Sequence, residues 1–369
     1  MVETDKNVLI VGAGPAGLAL GNLLADASIS SCIVDKARQA HQQSRACSIQ
    51  PKTFELFRSL GLYEELQTRS IPLLGNRVYV DGVLQFEFSF EDPDTGETTV
   101  AIEQCVVEQM LRDRLTRLDV EIEQGVECVG VTAEANGMRV KLLENKEERE
   151  RYADVLVGCD GGRSAVRKMA GIQFPGYKYP EKSFISDIVL ESDLDRTYMH
   201  YFLDAATRLV VVPLPEPNRF KVSGCTSLPE GACARSVLVD SLERHSTGRF
   251  CIKEVLHFEF YEMHSRLAET FALDKIVLCG DAAHLMPPNG GQGLSLAFED
   301  AQVLAERLGL YLRSEEICDM QPYKERRSEL NQRIREAIAT KKRYSYEHLK
   351  QGATECQGEQ QRIVSQELR

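Results

Sequence analysis

The stretch that most constrains this chain is NVLIVGAGPAG at residues 7–17. Its continuous apolar run suits a strand buried on both faces. A small-residue helix is predicted over about 15–27 and a second strand over 31–35 (SCIVD), which together make a βαβ opening. Gly12 permits the tight turn, and Gly14 lets an anion approach the backbone. Gly17 lets helix and strand pack closely, and the helix start offers unpaired N–H donors. Asp35 closes the second strand 18 residues after Gly17, where a carboxylate can accept from a ribose hydroxyl. The pattern predicts a dinucleotide site. Residues 8–25 are apolar enough to imitate a short membrane span, but the glycine-rich interruption and polar flanks favour a buried strand–turn–helix.

Two further motifs follow predicted strands. After ADVLVG comes CDGGRSAVR (159–167), whose Asp-Gly turn and Ser at a helix start are, alone, ordinary turn and capping chemistry. After KIVLC comes GDAAHLMPPNGGQGL (280–294), a strand ending in Gly-Asp, a rigid Pro-Pro turn and a glycine-rich helix start. Such a start presents N–H groups to an electron-rich ring edge, and Asp281 can hold a polyol hydroxyl. His284 has no other histidine near it in sequence, so a structural role is expected.

Elsewhere the texture changes. Residues 51–68 and 104–118 read as amphipathic helices, as do 293 to about 312 and 321–350. Between 173 and 272, period-two stretches such as TYMHYFLD and RLVVVPLP predict antiparallel sheet, joined by 77–90. In TYMHYFLD the alternation puts His200 and Phe202 on one face and Met199 and Tyr201 on the other. The expected organisation is a nucleotide-binding domain made of residues 1–75, 101–172 and 273–350, a β-rich domain made of 76–100 and 173–272, and a polar tail at 351–369. With 44 Lys plus Arg against 56 Asp plus Glu the net charge is −12, which argues against nucleic acid. Eleven cysteines lack CxxC spacing and a histidine cluster, so reduced thiols, no metal and a cytoplasmic setting are expected. MVETDKN lacks the basic region of a signal peptide, and no membrane segment is expected.

The three motifs, in this order, resemble the signatures of the class A (single-component) flavoprotein aromatic hydroxylases, the family of para-hydroxybenzoate hydroxylase and phenol hydroxylase. SRACSIQPKTFELFRSLGL and IEQCVVEQMLRDRL add weaker matches, and the likeness spans residues 7 to about 330. It implies an α/β fold: a Rossmann-like FAD-binding domain (GR2-type) with an inserted antiparallel-sheet substrate domain. It implies non-covalent FAD, with NAD(P)H and O2 as co-substrates. Gly12, Gly14 and Ala16 would line the pyrophosphate, with Pro15 and Gly17 beside them. Asp35, followed by Lys36, would hold the adenosine ribose, although the family more often has Glu there. Arg45 and Gln104 would contact FAD, and Asp160 would help place FAD and the nicotinamide nucleotide. Asp281 would bind the ribityl chain, and Pro288, Gly291, Gly293 and Leu294 would border the flavin ring.

The implied reaction is hydroxylation of a small phenolic or polyketide-like aromatic by an oxygen adduct of the reduced flavin. Tyr201 and His200 are the weak candidates for a catalytic base, should the substrate react as a phenolate; Tyr198 and His257 lie in the same region. A monomer or homodimer is expected. The rivals are a flavin-dependent epoxidase or alkene hydroxylase, a dehydrogenase of the same fold and a non-catalytic flavin-binding protein. A flavin halogenase is disfavoured because the chain has no Trp.

Overall fold

The first apolar run forms the strand Asn7–Val11, in which Val8, Leu9 and Ile10 are buried. It lies inside a six-stranded sheet whose spatial order is Ala272–Leu273, Ile276–Leu278, Val155–Gly158, Asn7–Val11, Ser30–Asp35 and Ile122–Gln124. All neighbours in it are parallel except the first pair. The computed structural model describes residues 7–40, 45–204, 208–226, 233–245, 250–287, 292–313 and the helical stretches 323–326, 328–330 and 332–333.

Helix α1 (Pro15–Asp26) starts on a proline at its first position, where the missing N–H costs nothing. The helical pattern at 51–68 is broken in two, α2 (Phe54–Ser59) and α3 (Tyr63–Arg69), where Gly61 takes a left-handed φ of 66° and ends the first. Helix α4 (Gln104–Arg117) buries Val107, Met110, Leu111 and Leu115, a helical-period stripe. Helix α5 (Ala165–Met169) is short, and the Ser164 hydroxyl caps it by accepting from the Arg167 N–H at 2.9 Å.

The second large sheet has seven strands, ordered Phe250–Tyr261, Ser183–Ser192, Arg219–Cys225, Arg208–Pro213, Tyr198–Leu203, Gly75–Val80 and Val83–Ser89. The early pair of strands therefore joins the sheet of the later insertion, through a parallel pairing of Gly75–Val80 with Tyr198–Leu203. One face of this sheet packs Phe184, Phe202, Val211, Phe220 and Val222 against Val237, Leu238 and Leu242 of helix α6 (Ala234–His245). That helix interrupts a region read from sequence as sheet throughout; its apolar residues at 237, 238 and 242 are the helical-period signal. A meander of Val126–Ala133, Met138–Glu144 and Glu147–Ala153 was likewise not anticipated, although Met138–Glu144 alternates buried and exposed positions.

His264–Leu267 pairs with both Gly176–Lys178 and His284–Leu285, tying the inserted stretch to the third motif. Helix α7 (Gln292–Arg313) packs against α1. The expected tail at 351–369 lies outside the described residues.

Candidate functional site

The three motifs meet at the carboxyl ends of three neighbouring parallel strands, the usual ligand position in an open α/β sheet. Gly12 has φ 111°, and a Cβ there would come within 2.3 Å of the Cys159 carbonyl oxygen. The Cys159 N–H donates to the Val11 carbonyl at 2.7 Å, and the Cys279 N–H to that of Gly158 at 2.9 Å. The turns are thus stitched side by side.

Together they open one side of a cavity of about 2270 Å³, whose wall includes Gly12, Gly14, Pro15, Ala16, Asp35, Lys36, Arg45, Gln104, Asp160, Asp281, Gly293 and Leu294. Gly17 is not on that wall. It supports α1 from behind, where a Cβ would meet the Gly12 carbonyl oxygen at 2.0 Å. Pro288 and Gly291 lie outside the described residues.

Individual side chains have defined partners. The two oxygens of Asp35 accept from the Ala13 N–H at 2.6 Å and the Ala37 N–H at 2.7 Å. Each oxygen keeps a lone pair for a hydroxyl. Gln104 donates to Glu108 at 2.8 Å, and Arg45 pairs with Glu259 at 3.0 Å beside the Tyr261 ring. One oxygen of Asp160 accepts from Ala165 N–H at 2.6 Å, while the other is buried without a partner among the described residues. Asp281 opens on the cavity yet has protein around it. That enclosure pushes its carboxyl above the usual range, opposed by the charges of His284 and Arg45.

His284 itself is buried and structural. Its Nε2 donates to Asp300 at 2.6 Å, and Asp300 also accepts from the Gly280 N–H at 3.2 Å and from Arg326 at 2.6 Å. Burial alone would lower the imidazole's pKa, but the Asp300 charge outweighs it and raises it; Asp300 is correspondingly depressed against its own burial. This anchor fixes Gly280, which takes φ 62° and sets the direction of Asp281.

Sequence reasoning missed three such supports. Asp300 was detectable as a carboxylate within the buried face of α7, beside Leu296, Ala297, Ala301 and Leu304. Arg112 donates to the Ala13 carbonyl at 2.7 Å and holds the glycine turn. Arg167 is buried over the Phe174 ring and donates to Ala282 and Gly162, joining second and third motifs.

The opposite side of the cavity is the free face of the seven-stranded sheet. Ile185, Met199, Tyr201, Val210 and Val212 face it, with Phe88, Phe260 and Tyr261 from flanking strands and Phe90 just past the end of one. The two catalytic candidates separate here. Tyr201 is on the cavity wall, its phenol pushed up by burial against the charge of Arg208. His200 is removed from the cavity, because strand alternation turns it to the far face beside Tyr79 and Phe202. There its Nε2 donates to the Asp195 carbonyl at 2.9 Å, and burial lowers its pKa. Of the other two residues, Tyr198 donates to Glu87 at 3.1 Å, and neither it nor His257 lines the cavity.

Cys32, Glu121 and Glu123 converge within 4.8 Å, but Arg151 donates to Cys32 at 2.7 Å and to Glu123 at 2.6 Å, putting a guanidinium where a cation would sit. No helix among the described residues is long and apolar enough to cross a membrane.

The geometry tests the fit of a dinucleotide at one point above all. Gly14 has φ −82° and ψ −174°, a conformation open to any residue, and a Cβ there would meet nothing within 4 Å. The fold does not need glycine at this position, and the bare backbone leaves room for a group approaching from the cavity. The α1 N–H groups beside it make a cradle that fits the FAD pyrophosphate, while the unpartnered Asp160 oxygen can only accept and suits a hydroxyl of the same ligand.

Fold and site thus define a dinucleotide-binding α/β protein whose cleft is closed by a second sheet. The chain belongs to the FAD binding domain family, which it matches over residues 5–337. It is 28% identical over 327 residues to 6-methylpretetramide 4-monooxygenase of Streptomyces rimosus, covering 86% of this chain and 58% of that one. It is 30% identical over 310 residues to rifampicin monooxygenase of Streptomyces venezuelae, covering 82% and 63%. The chain therefore spans about three fifths of the length of these relatives. Its fold matches that of aklavinone-11 hydroxylase, solved with FAD and aklavinone, at a TM-score of 0.81 and 22% identity, covering 95% of this chain and 71% of that one.

Proposed function

We propose that the chain works as an FAD-dependent monooxygenase, using NAD(P)H and O2 to hydroxylate a phenolic or polyketide-like aromatic. The observation that carries this is the shared cavity. About 2270 Å³ is more than twice the roughly 1,000 Å³ upper end of a single small-molecule site, and the dinucleotide cradle and an apolar, aromatic sheet face both line it. The relatives named for rifampicin and 6-methylpretetramide support a multi-ring substrate.

When bound, FAD would supply acceptance of hydride from NAD(P)H and activation of O2. The chain supplies placement. The α1 N-terminus would face the pyrophosphate, Asp281 would accept from a ribityl hydroxyl, and Gln104, Gly293 and Leu294, which also line the cavity, would border the flavin end. Met199, Val210 and Val212 keep water from the reacting carbon. The Tyr201 phenol, held protonated by burial, donates a hydrogen bond to the substrate rather than taking its proton. On this reading residues 1–75, 101–172 and 273–350 form the FAD unit, and 76–100 with 173–272 the substrate unit. The odd count of eleven cysteines, without CxxC spacing, supports a reducing, cytoplasmic setting.

The test is oxidation of NADH or NADPH, with and without O2 and candidate phenols, with the product weighed for one added oxygen atom. Substrate-dependent oxidation that gives such a product is expected. Oxidation indifferent to O2 would instead make the chain a dehydrogenase, and no oxidation would make it a flavin-binding protein. Asp281→Ala should weaken FAD binding about tenfold to a hundredfold, because a charge-assisted hydrogen bond of roughly 1.5–3 kcal/mol is lost. Equilibrium dialysis of the folded variant against FAD checks this, and unchanged affinity would remove Asp281 from the site.

A further inference from the structure

Two thiols sit where the second and third motifs leave their strands. Cys159 and Cys279 directly follow Gly158 and Leu278, which are register partners in neighbouring parallel strands. Parallel partners lie about 4.8 Å apart between strands, inside the roughly 4.4–6.8 Å Cα separation that a disulfide spans. In parallel pairing, partners also point to the same side of the sheet, here toward α1: a Cβ on Gly17 would lie 3.3 Å from the Cys159 Cβ. The Cys159 and Cys279 thiols interact directly. Their access differs. Cys159 borders the cavity, whereas Cys279 is fully buried beneath it.

We propose that Cys159 and Cys279 are a redox modification site that closes to a reversible disulfide when a hydroperoxide enters the cavity. The Cys159 sulfur attacks the terminal peroxide oxygen and the O–O bond breaks. Cys159–SH and ROOH thereby give Cys159–SOH and ROH, and the sulfur is oxidised by two electrons. The Cys279 sulfur then displaces hydroxide from Cys159–SOH. The S–S bond forms as the S–O bond breaks, and the thiol proton leaves with the hydroxide as water. Burial and the neighbouring thiol keep Cys279 protonated in the resting protein, which suits the resolving partner. Cys47 and Cys128 also border the cavity, and burial pushes each up to about 12, which makes them poor competitors for the oxidant. A second part of the proposal rests on the dinucleotide reading: bound FAD covers Cys159 and slows its oxidation.

The purified full chain is treated with hydrogen peroxide, with and without added FAD, then denatured, alkylated, digested and weighed. A Cys159–Cys279 linked peptide, short by two hydrogens and restored by dithiothreitol, is expected. In Cys279→Ala the linked peptide should vanish and Cys159 should become trappable as sulfenic acid. Full alkylation of both cysteines, or linkage of Cys159 to a different cysteine, overturns the disulfide. FAD binding is read separately from flavin absorbance. Equal oxidation rates with FAD demonstrably bound overturn the covering role alone.

Discussion

A Gly14→Val protein is expected to fold within about 1 kcal/mol of the parent, the scale of a helix N-cap change, and yet to lose FAD. The Cβ it adds meets no protein atom within 4 Å, and valine needs no unusual backbone angle there. It would occupy the space through which the pyrophosphate reaches the α1 N–H groups. Gly17→Val makes the contrast. Its Cβ would sit 2.0 Å from the Gly12 carbonyl oxygen, and backbone, unlike the end of a side chain, cannot swing aside. Overpacking typically costs about 1–3 kcal/mol, and this variant should fall at or beyond the top of that range. It should lose FAD as well, since α1 must move. Urea unfolding beside FAD titration separates the two cases. A Gly14→Val chain that binds FAD normally would show that the cradle does not take the pyrophosphate.

Asp300→Ala should cost about 3–5 kcal/mol, the scale for removing one partner of a buried ion pair. Two cations, His284 and Arg326, lose their shared acceptor, and the Gly280 N–H loses its bond. The deficit should depend on pH. Asp300 is depressed in the folded protein, so its contribution is present above the usual carboxylate range and is lost as pH falls through the folded value. His284 is raised, so its contribution is full below the usual histidine range and is lost as pH rises through the folded value. Parent and variant should therefore differ most between those limits, converge on the acid side, and keep a smaller difference on the alkaline side, where Arg326 still pairs with Asp300. A deficit that stays flat from acid to alkaline pH would mean that charge on this pair contributes little.

What could be read in advance follows from which interactions are local. The strand–turn–helix at 7–26 is dictated by residues within a few positions of one another, and so is the alternation that parts Tyr201 from His200. The pairing of Asp300 with His284 and Arg326 spans 16 and 26 residues, and nothing local announces it. Arg112 reaches the Ala13 carbonyl from 99 residues away. Helix α6 was hidden for another reason: its short apolar stripe lies among strands whose period-two pattern dominates the region. The glycines and carboxylates that line the cavity were thus legible, and the side chains that brace them were not.

The parallel pairing of Gly75–Val80 with Tyr198–Leu203 also bears on how the chain is made. The hairpin of 75–89 pairs residues close in sequence, but its other edge needs a strand that emerges more than a hundred residues later. During that interval a row of backbone donors and acceptors is uncovered, a template for pairing with another nascent chain. Arg77 and Glu87, paired across the hairpin at 2.8 Å, put charge on this waiting ribbon. Slow, late assembly of the sheet is the kinetic counterpart of a cavity wall drawn from two distant parts of the chain, and yield on expression should be more sensitive to substitutions in 75–89 than final stability is.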